Sequence, residues 1–181
     1  MEFELLGWSD DGRTIALDHR QFSYAGKFRM SATGKAVIRD EGEIVAAASF
    51  SPDRTDEMHC WIRYLTVRND RKGERLGSRL AATTRRWLVD TDFERVSIAV
   101  NNPFAYVACY RAGFAWTGDE TGLAELVLSS SEPRCESSFV AGLNRYLATR
   151  SLAAAERSYI AARSTRGLPD RIEIPDEWLP E

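Results

Sequence analysis

The chain has 181 residues, of which 44% are apolar and 28% charged, and its formal net charge is −3. That length supports one domain plus an appendage around a buried core, and the mild charge argues against a polyanionic partner. No Lys/Arg cluster reads as a nucleic-acid footprint, and no apolar run approaches the ~18 residues of a membrane span.

The opening residues, MEFELLGWSDDGR, are acidic and lack an apolar core run, which predicts no signal peptide and a cytoplasmic protein. Short strands are expected at 2–6 and 14–18. KAVIRD (35–40) and EIVAAASF (43–50) flank Glu41-Gly42, a hairpin turn. Between 21 and 34 lies a loop with one helical turn, carrying Phe22, Tyr24 and Phe28. These aromatics are either core or the lining of a ligand pocket. Gly34-Lys35 lacks the glycine five residues earlier and the following Ser or Thr of a phosphate loop, so a nucleotide triphosphate site is rejected.

HCWIRYLTV (59–67) is the strongest strand, dense in β-branched and aromatic residues. From Leu76 onward, Leu76, Leu80, Trp87 and Leu88 share one helical face. RVSIAV (95–100) is a strand stopped by Asn101-Asn102-Pro103. A short helix follows and ends at Gly113. FAWTG and AELVL add two strands. Ser129-Ser130-Ser131 with Glu132 and Pro133 reads as a linker, dividing the chain at 1–130 and 131–181. Beyond it, Phe139, Leu143, Tyr146 and Leu147 form one amphipathic stripe. Leu152, Ala155, Tyr159 and Ile160 form another after a cap at Ser151. The tail RIEIPDEWLPE is an arm for this chain or for a partner subunit. Apolar stripes of this kind suggest a homodimer or a lid. Cys60, Cys109 and Cys135 have no metal spacing, and His19 and His59 stand apart from any cluster of ligands. Reduced thiols and no metal are expected.

The informative unit is strand, glycine-bearing turn, helix, strand, helix, over residues 61–114. The turn Arg71-Lys72-Gly73-Glu74-Arg75-Leu76-Gly77-Ser78 opens a helix, where unpaired backbone N–H groups and the helix dipole suit a pyrophosphate. Glycine there lets a phosphate approach the backbone.

The run LTVRNDRKGERLGSRL resembles the acetyl-CoA signature of the GNAT N-acetyltransferases: an apolar strand end (Leu65, Val67), then Arg/Gln-x-x-Gly-x-Gly/Ala opening a long helix. A second feature of that family follows in Asn102, Ala105 and Gly113-Phe114. The resemblance covers about residues 35–129. It departs at Arg75, which stands where the family has a further glycine.

The resemblance implies an α/β (α+β) GNAT fold. Its mixed, mostly antiparallel sheet would have six to seven strands, flanked by helices, and strands 59–67 and 95–100 would splay at the cofactor site. The C-terminal helices would be an extension. It implies acetyl-CoA as co-substrate, with its pantetheine along Leu65, Thr66 and Val67 and its pyrophosphate on the amides from Lys72 to Ser78. Asn102 would approach the pantetheine or hold the second strand's end. The acceptor would be a primary amine of a small molecule or peptide, which must lose a proton before attack. A strand amide near Val67 would stabilise the oxyanion. The general-acid tyrosine of such enzymes most often lies four residues before the glycine. Cys109 holds that position, and the adjacent Tyr110 is the candidate. Glu57 and His59 are candidates for the base. Two other readings stay open: an acyl-CoA-binding sensor without catalysis, and a scaffold whose helical tail is the working part.

Overall fold

The computed structural model describes residues 1–91, 93–122 and 124–180. It is a mixed α/β fold with seven strands, every described pairing antiparallel. The chain divides into two compact units, Met1–Val96 with the tail from Glu173, and Ser97–Ile172. The serine-rich segment joins two elements of one unit, and Ser129 itself belongs to a strand.

In the first unit β1 (Glu2–Gly7), β2 (Gly34–Asp40), β3 (Glu43–Pro52) and β4 (His59–Val67) pair in chain order. The β2–β3 turn is Glu41-Gly42, both with positive φ (50° and 84°), the geometry that matches strand twist in a two-residue hairpin. β3 is buried from Val45 to Phe50. Its alanines let elements approach closely on both faces. Helix α1 (Leu76–Thr91) packs on β2, β3 and β4. The opposite face carries Val37 and Ala47, covered by Ile15, Leu17, Phe22, Ala25 and Phe28.

Residues 14–18 are not a strand. The alternation that suggested one is real, since Ile15 and Leu17 are buried while 14, 16 and 18 are exposed. The segment uses it to cover the sheet's face, and β1 takes the place beside β2. The aromatics of the following loop divide. Phe22 and Phe28 are core, whereas Tyr24 is 51% exposed. The tail packs on this chain: Trp178 is buried, its carbonyl accepts from Trp87 Nε1 at 2.7 Å, and Phe3 contacts both rings.

In the second unit residues 97–100 of β5 (Arg95–Val100) pair with β7 (Leu126–Ser129), which pairs with β6 (Ala115–Glu120). Helices α2 (Pro103–Arg111), α3 (Glu136–Thr149) and α4 (Ala154–Arg166) complete it. Their centre is aromatic: Tyr106, Tyr110, Phe139 and Tyr146 are all fully buried, with ring centroids 4.9–5.8 Å apart. Helix α4 starts after Ala153, not Ser151, because the Glu156 carboxylate caps the Ala153 N–H at 2.8 Å. Phe139, Leu143, Tyr146, Leu152 and Ile160 are covered within the chain. Leu147 of the first stripe is 47% exposed, and Ala155 of the second is exposed as well. No helix among the described residues is long and apolar enough to cross a membrane.

Candidate functional site

The turn after β4 is built by ion pairs. Arg68 forks onto Asp70 at 2.7 and 3.1 Å. Arg71 joins Glu74 at 2.7 Å and Asp40, at the end of β2, at 2.8 Å. Its two carboxylates raise the Arg71 pKa, and Arg71 lowers that of Glu74. Arg71, expected to meet a cofactor, helps to fix the turn through these two pairs. Lys72 and Arg75 are exposed and pair with no carboxylate among the described residues. A cleft of about 470 Å³ opens beside the start of the turn, lined by Arg20, Gln21, Arg68, Asn69 and Asp70.

Gly73 has φ 94° and Arg75 φ 62°. Arg75 therefore occupies a left-handed position at a cost of about 1–2 kcal/mol, a local strain of the kind that collects at ligand clamps. The first helical bond runs from the Arg79 N–H to the Arg75 carbonyl at 3.0 Å. Among the described residues no acceptor meets the N–H groups from Lys72 to Ser78. A Cβ on Gly77 would lie 3.4 Å from both Leu65 and Val67, ordinary contact. The protein's own packing does not require glycine there. Close approach of a ligand to the backbone is what a side chain would block.

Leu65, Thr66 and Val67 pair with Ala48, Ala47 and Ala46 of β3. An antiparallel ladder uses alternate backbone groups of a strand and directs the rest to its other side. Asn102 is the N-cap of α2: its Oδ1 accepts from the Ala105 N–H at 2.9 Å, and its amide donates to Asn101. Its evident work is therefore to start a helix, worth about 1 kcal/mol.

The three catalytic candidates have settings unlike those expected of them. His59 and Val67 are opposite ends of β4, ~26 Å apart at ~3.3 Å per residue. His59 is buried against Trp61 (centroids 5.0 Å), and burial, with Arg95 nearby, lowers its pKa. Glu57 is exposed in the loop before it. Tyr110 is fully buried. Its hydroxyl accepts from the Trp116 N–H at 3.0 Å and lies 3.1 Å from Ser138 Oγ. Ser138 gives its proton to the Cys135 carbonyl, so the Tyr110 proton goes to Ser138. Cys109, the alternative, is also buried, and burial pushes its thiol up to about 12. Tyr110 thus packs in the aromatic centre and bridges Trp116 and Ser138. Tyr110→Phe would orphan the Trp116 N–H and should cost about 1–3 kcal/mol of stability. An unchanged melting temperature would argue that the bridge is idle and return Tyr110 to the catalytic candidates.

Strand β4 carries a bulge, where Ser49 pairs with Tyr64 but Phe50 with Ile62, so that Arg63 is an extra residue and the simple alternation of His59, Trp61, Arg63, Leu65 and Val67 is broken. Among the described residues no group of three or more His, Cys, Asp or Glu could hold a metal.

The model of the acetyltransferase (GNAT) family matches residues 4–114, more than half of the chain. A search of curated proteins gives no match. Solved structures with a similar fold include an N-acetyltransferase from Staphylococcus aureus Mu50 (12% identity, TM-score 0.48, 54% of this chain and 66% of that one). PaiA N-acetyltransferase from Thermoplasma acidophilum, in complex with coenzyme A, is 9% identical with TM-score 0.46, over 54% of this chain and 60% of that one. An acetyltransferase from Thermus thermophilus is 18% identical with TM-score 0.46, over 54% and 62%. The chain thus spans less than two thirds of the length of each, and likenesses this weak carry no argument. By the family match, the chain belongs to the GNAT acetyltransferase family.

Proposed function

We propose that this protein is an acetyl-CoA-dependent N-acyltransferase that moves an acetyl group to a primary amine of a small molecule or peptide. The observation that carries the reading is the turn after β4. Its amides from Lys72 to Ser78 lack acceptors among the described residues, and Lys72 and Arg75 beside them lack carboxylates. Such a turn at a helix N-terminus fits a diphosphate. Lys72 to Ser78 would hold it, and backbone groups of Leu65, Thr66 and Val67 would align the pantetheine. Acetyl-CoA, when bound, supplies a thioester-activated acetyl group. The N–C bond of the product replaces a C–S bond, one proton leaves the nitrogen and one reaches the sulfur.

A second reading is a CoA-binding protein without turnover. The burial of Tyr110 and the distance of His59 from Val67 favour it. Thermal unfolding with acetyl-CoA, CoA and ATP tests the cofactor. At ~100 times its dissociation constant a ligand stabilises by about 2.7 kcal/mol, or roughly 5–10 °C for a chain this size. A shift with both CoA forms but not with ATP supports the assignment. No shift with either removes it. Release of CoA thiol in the presence of amines then separates enzyme from sensor.

A further inference from the structure

The bulge at Arg63 changes what β4 presents. Alternation would send successive residues to opposite faces, but an extra residue re-aims one of them. Arg63 donates from Nε to Ser51 Oγ at 2.9 Å, and from its terminal nitrogen to the Pro52 carbonyl at 3.4 Å. Its guanidinium lies 5.6 Å from the Trp61 ring. The next residue, Tyr64, pairs with Ser49, which shares a face of β3 with Ser51. Arg63 and Tyr64 therefore reach the same side of the sheet. Lys27 stands over the Tyr64 ring at 5.6 Å, and the exposed Tyr24 ring lies 5.9 Å from it.

This shelf is cationic, with Asp53 near Arg63 offsetting part of its charge. Among the described residues neither Lys27 nor Arg63 pairs with a carboxylate. Asp53 is the acid that Arg63 feels; its oxygens take Thr55 N–H at 2.9 Å, Thr55 Oγ1 at 2.8 Å and Trp61 Nε1 at 2.8 Å, so it forms no direct pair with the guanidinium. Lys35 lies in the same cross-strand row as Ser49 and Tyr64. It is fully buried, and its ammonium meets only neutral oxygens: Met30 O at 2.8 Å, Thr33 O at 2.6 Å and Thr33 Oγ1 at 2.5 Å. From residue 19 to 39 the chain has five Lys or Arg and no Asp or Glu.

We infer that this shelf receives an anionic group of the acceptor, so that the acceptor is an amine also carrying a carboxylate, of the amino-acid class. The inference rests on the N-acyltransferase reading. Arg63 lies two residues, ~7 Å, from Leu65 along the strand, where the pantetheine is proposed to align. An anion held by Arg63 and Lys27 would place the rest of a small acceptor beside that segment. The same charges disfavour polyamines, since repulsion against a competitor is half of specificity.

The test uses full-length protein saturated with CoA. N-acetyl amino acids are compared with the matching N-acetyl amino acid amides by thermal shift, in wild type, Lys27→Gln and Arg63→Gln. Acids are expected to act at concentrations about ten-fold lower than the amides, with most of that preference lost in each variant. The CoA shift itself reports that each variant is folded. Equal effects of acids and amides, preference for amides, or no effect of either overturns the inference while the CoA shift stands. If CoA gives no shift, the cofactor reading fails first. The same acids and amides without CoA then decide whether the shelf binds anions.

Discussion

Gly77→Glu should leave the protein folded and abolish its stabilisation by acetyl-CoA. Gly77 is the second residue of α1 and is half-buried. A Cβ there makes only ordinary contacts with Leu65 and Val67. A carboxylate in the first helical turn also interacts favourably with the helix dipole, by about 0.3–1 kcal/mol. The melting temperature without ligand should therefore hold or rise slightly. Binding responds in the opposite direction. A negative charge ~4 Å from a phosphate costs about 4 kcal/mol at an effective dielectric near 20. That corresponds to two to three orders of magnitude in affinity. The 5–10 °C shift expected for wild type should vanish. Gly77→Ala, which adds bulk without charge, should weaken binding far less. A Gly77→Glu protein that responded to acetyl-CoA like wild type would remove the phosphate site from this turn.

The parts of this site that were legible in the sequence are those set by local chemistry. Glu41-Gly42 had to be a turn, because two residues with positive φ between apolar runs have few alternatives. The limits of β4 and β5 came out as expected because polar turn residues flank β-branched runs. What was not legible depends on tertiary choices. Ile15 and Leu17 alternate as a strand would, yet nothing local says whether such a segment joins a sheet or lies on it. The bulge at Arg63 is a mismatch between two strands and leaves no mark in either one. Asn102 could not be told from a ligand contact until its oxygen was seen on the Ala105 N–H. The place of Tyr110 near Gly113 was legible, whereas its burial and its bond from the Trp116 N–H were not. The serine-rich segment at 129–131 has the composition of a linker. Ser129 instead closes a strand, and its hydroxyl lies 2.9 Å from that of Ser131.

Gly142→Ala should destabilise the protein, although the same change in the middle of an ordinary helix stabilises it by about 0.5–1 kcal/mol. Gly142 is buried within α3, and a Cβ on it would lie 2.0 Å from the Tyr106 hydroxyl oxygen and 2.5 Å from its ring carbon Cζ. Tyr106 cannot swing aside. Its hydroxyl donates to the Ser138 and Phe139 carbonyls at 3.2 and 3.1 Å. Its ring is fully buried between Tyr110, Phe139 and Tyr146. Overpacking of this kind costs about 1–3 kcal/mol, and displacing the hydroxyl from its carbonyls adds about 1. A net loss of about 2–4 kcal/mol lowers the melting temperature by roughly 5–15 °C. The mechanism makes a further demand. The oxygen is the first atom the new methyl meets, so Tyr106→Phe in the Gly142→Ala background should recover part of the loss. Tyr106→Phe alone should be mildly destabilising, because it removes the hydroxyl's bond to carbonyls of α3 that already accept from the helix. That reversal of sign between the two backgrounds is a direct coupling, and additive losses would mean that α2 and α3 meet in some other way.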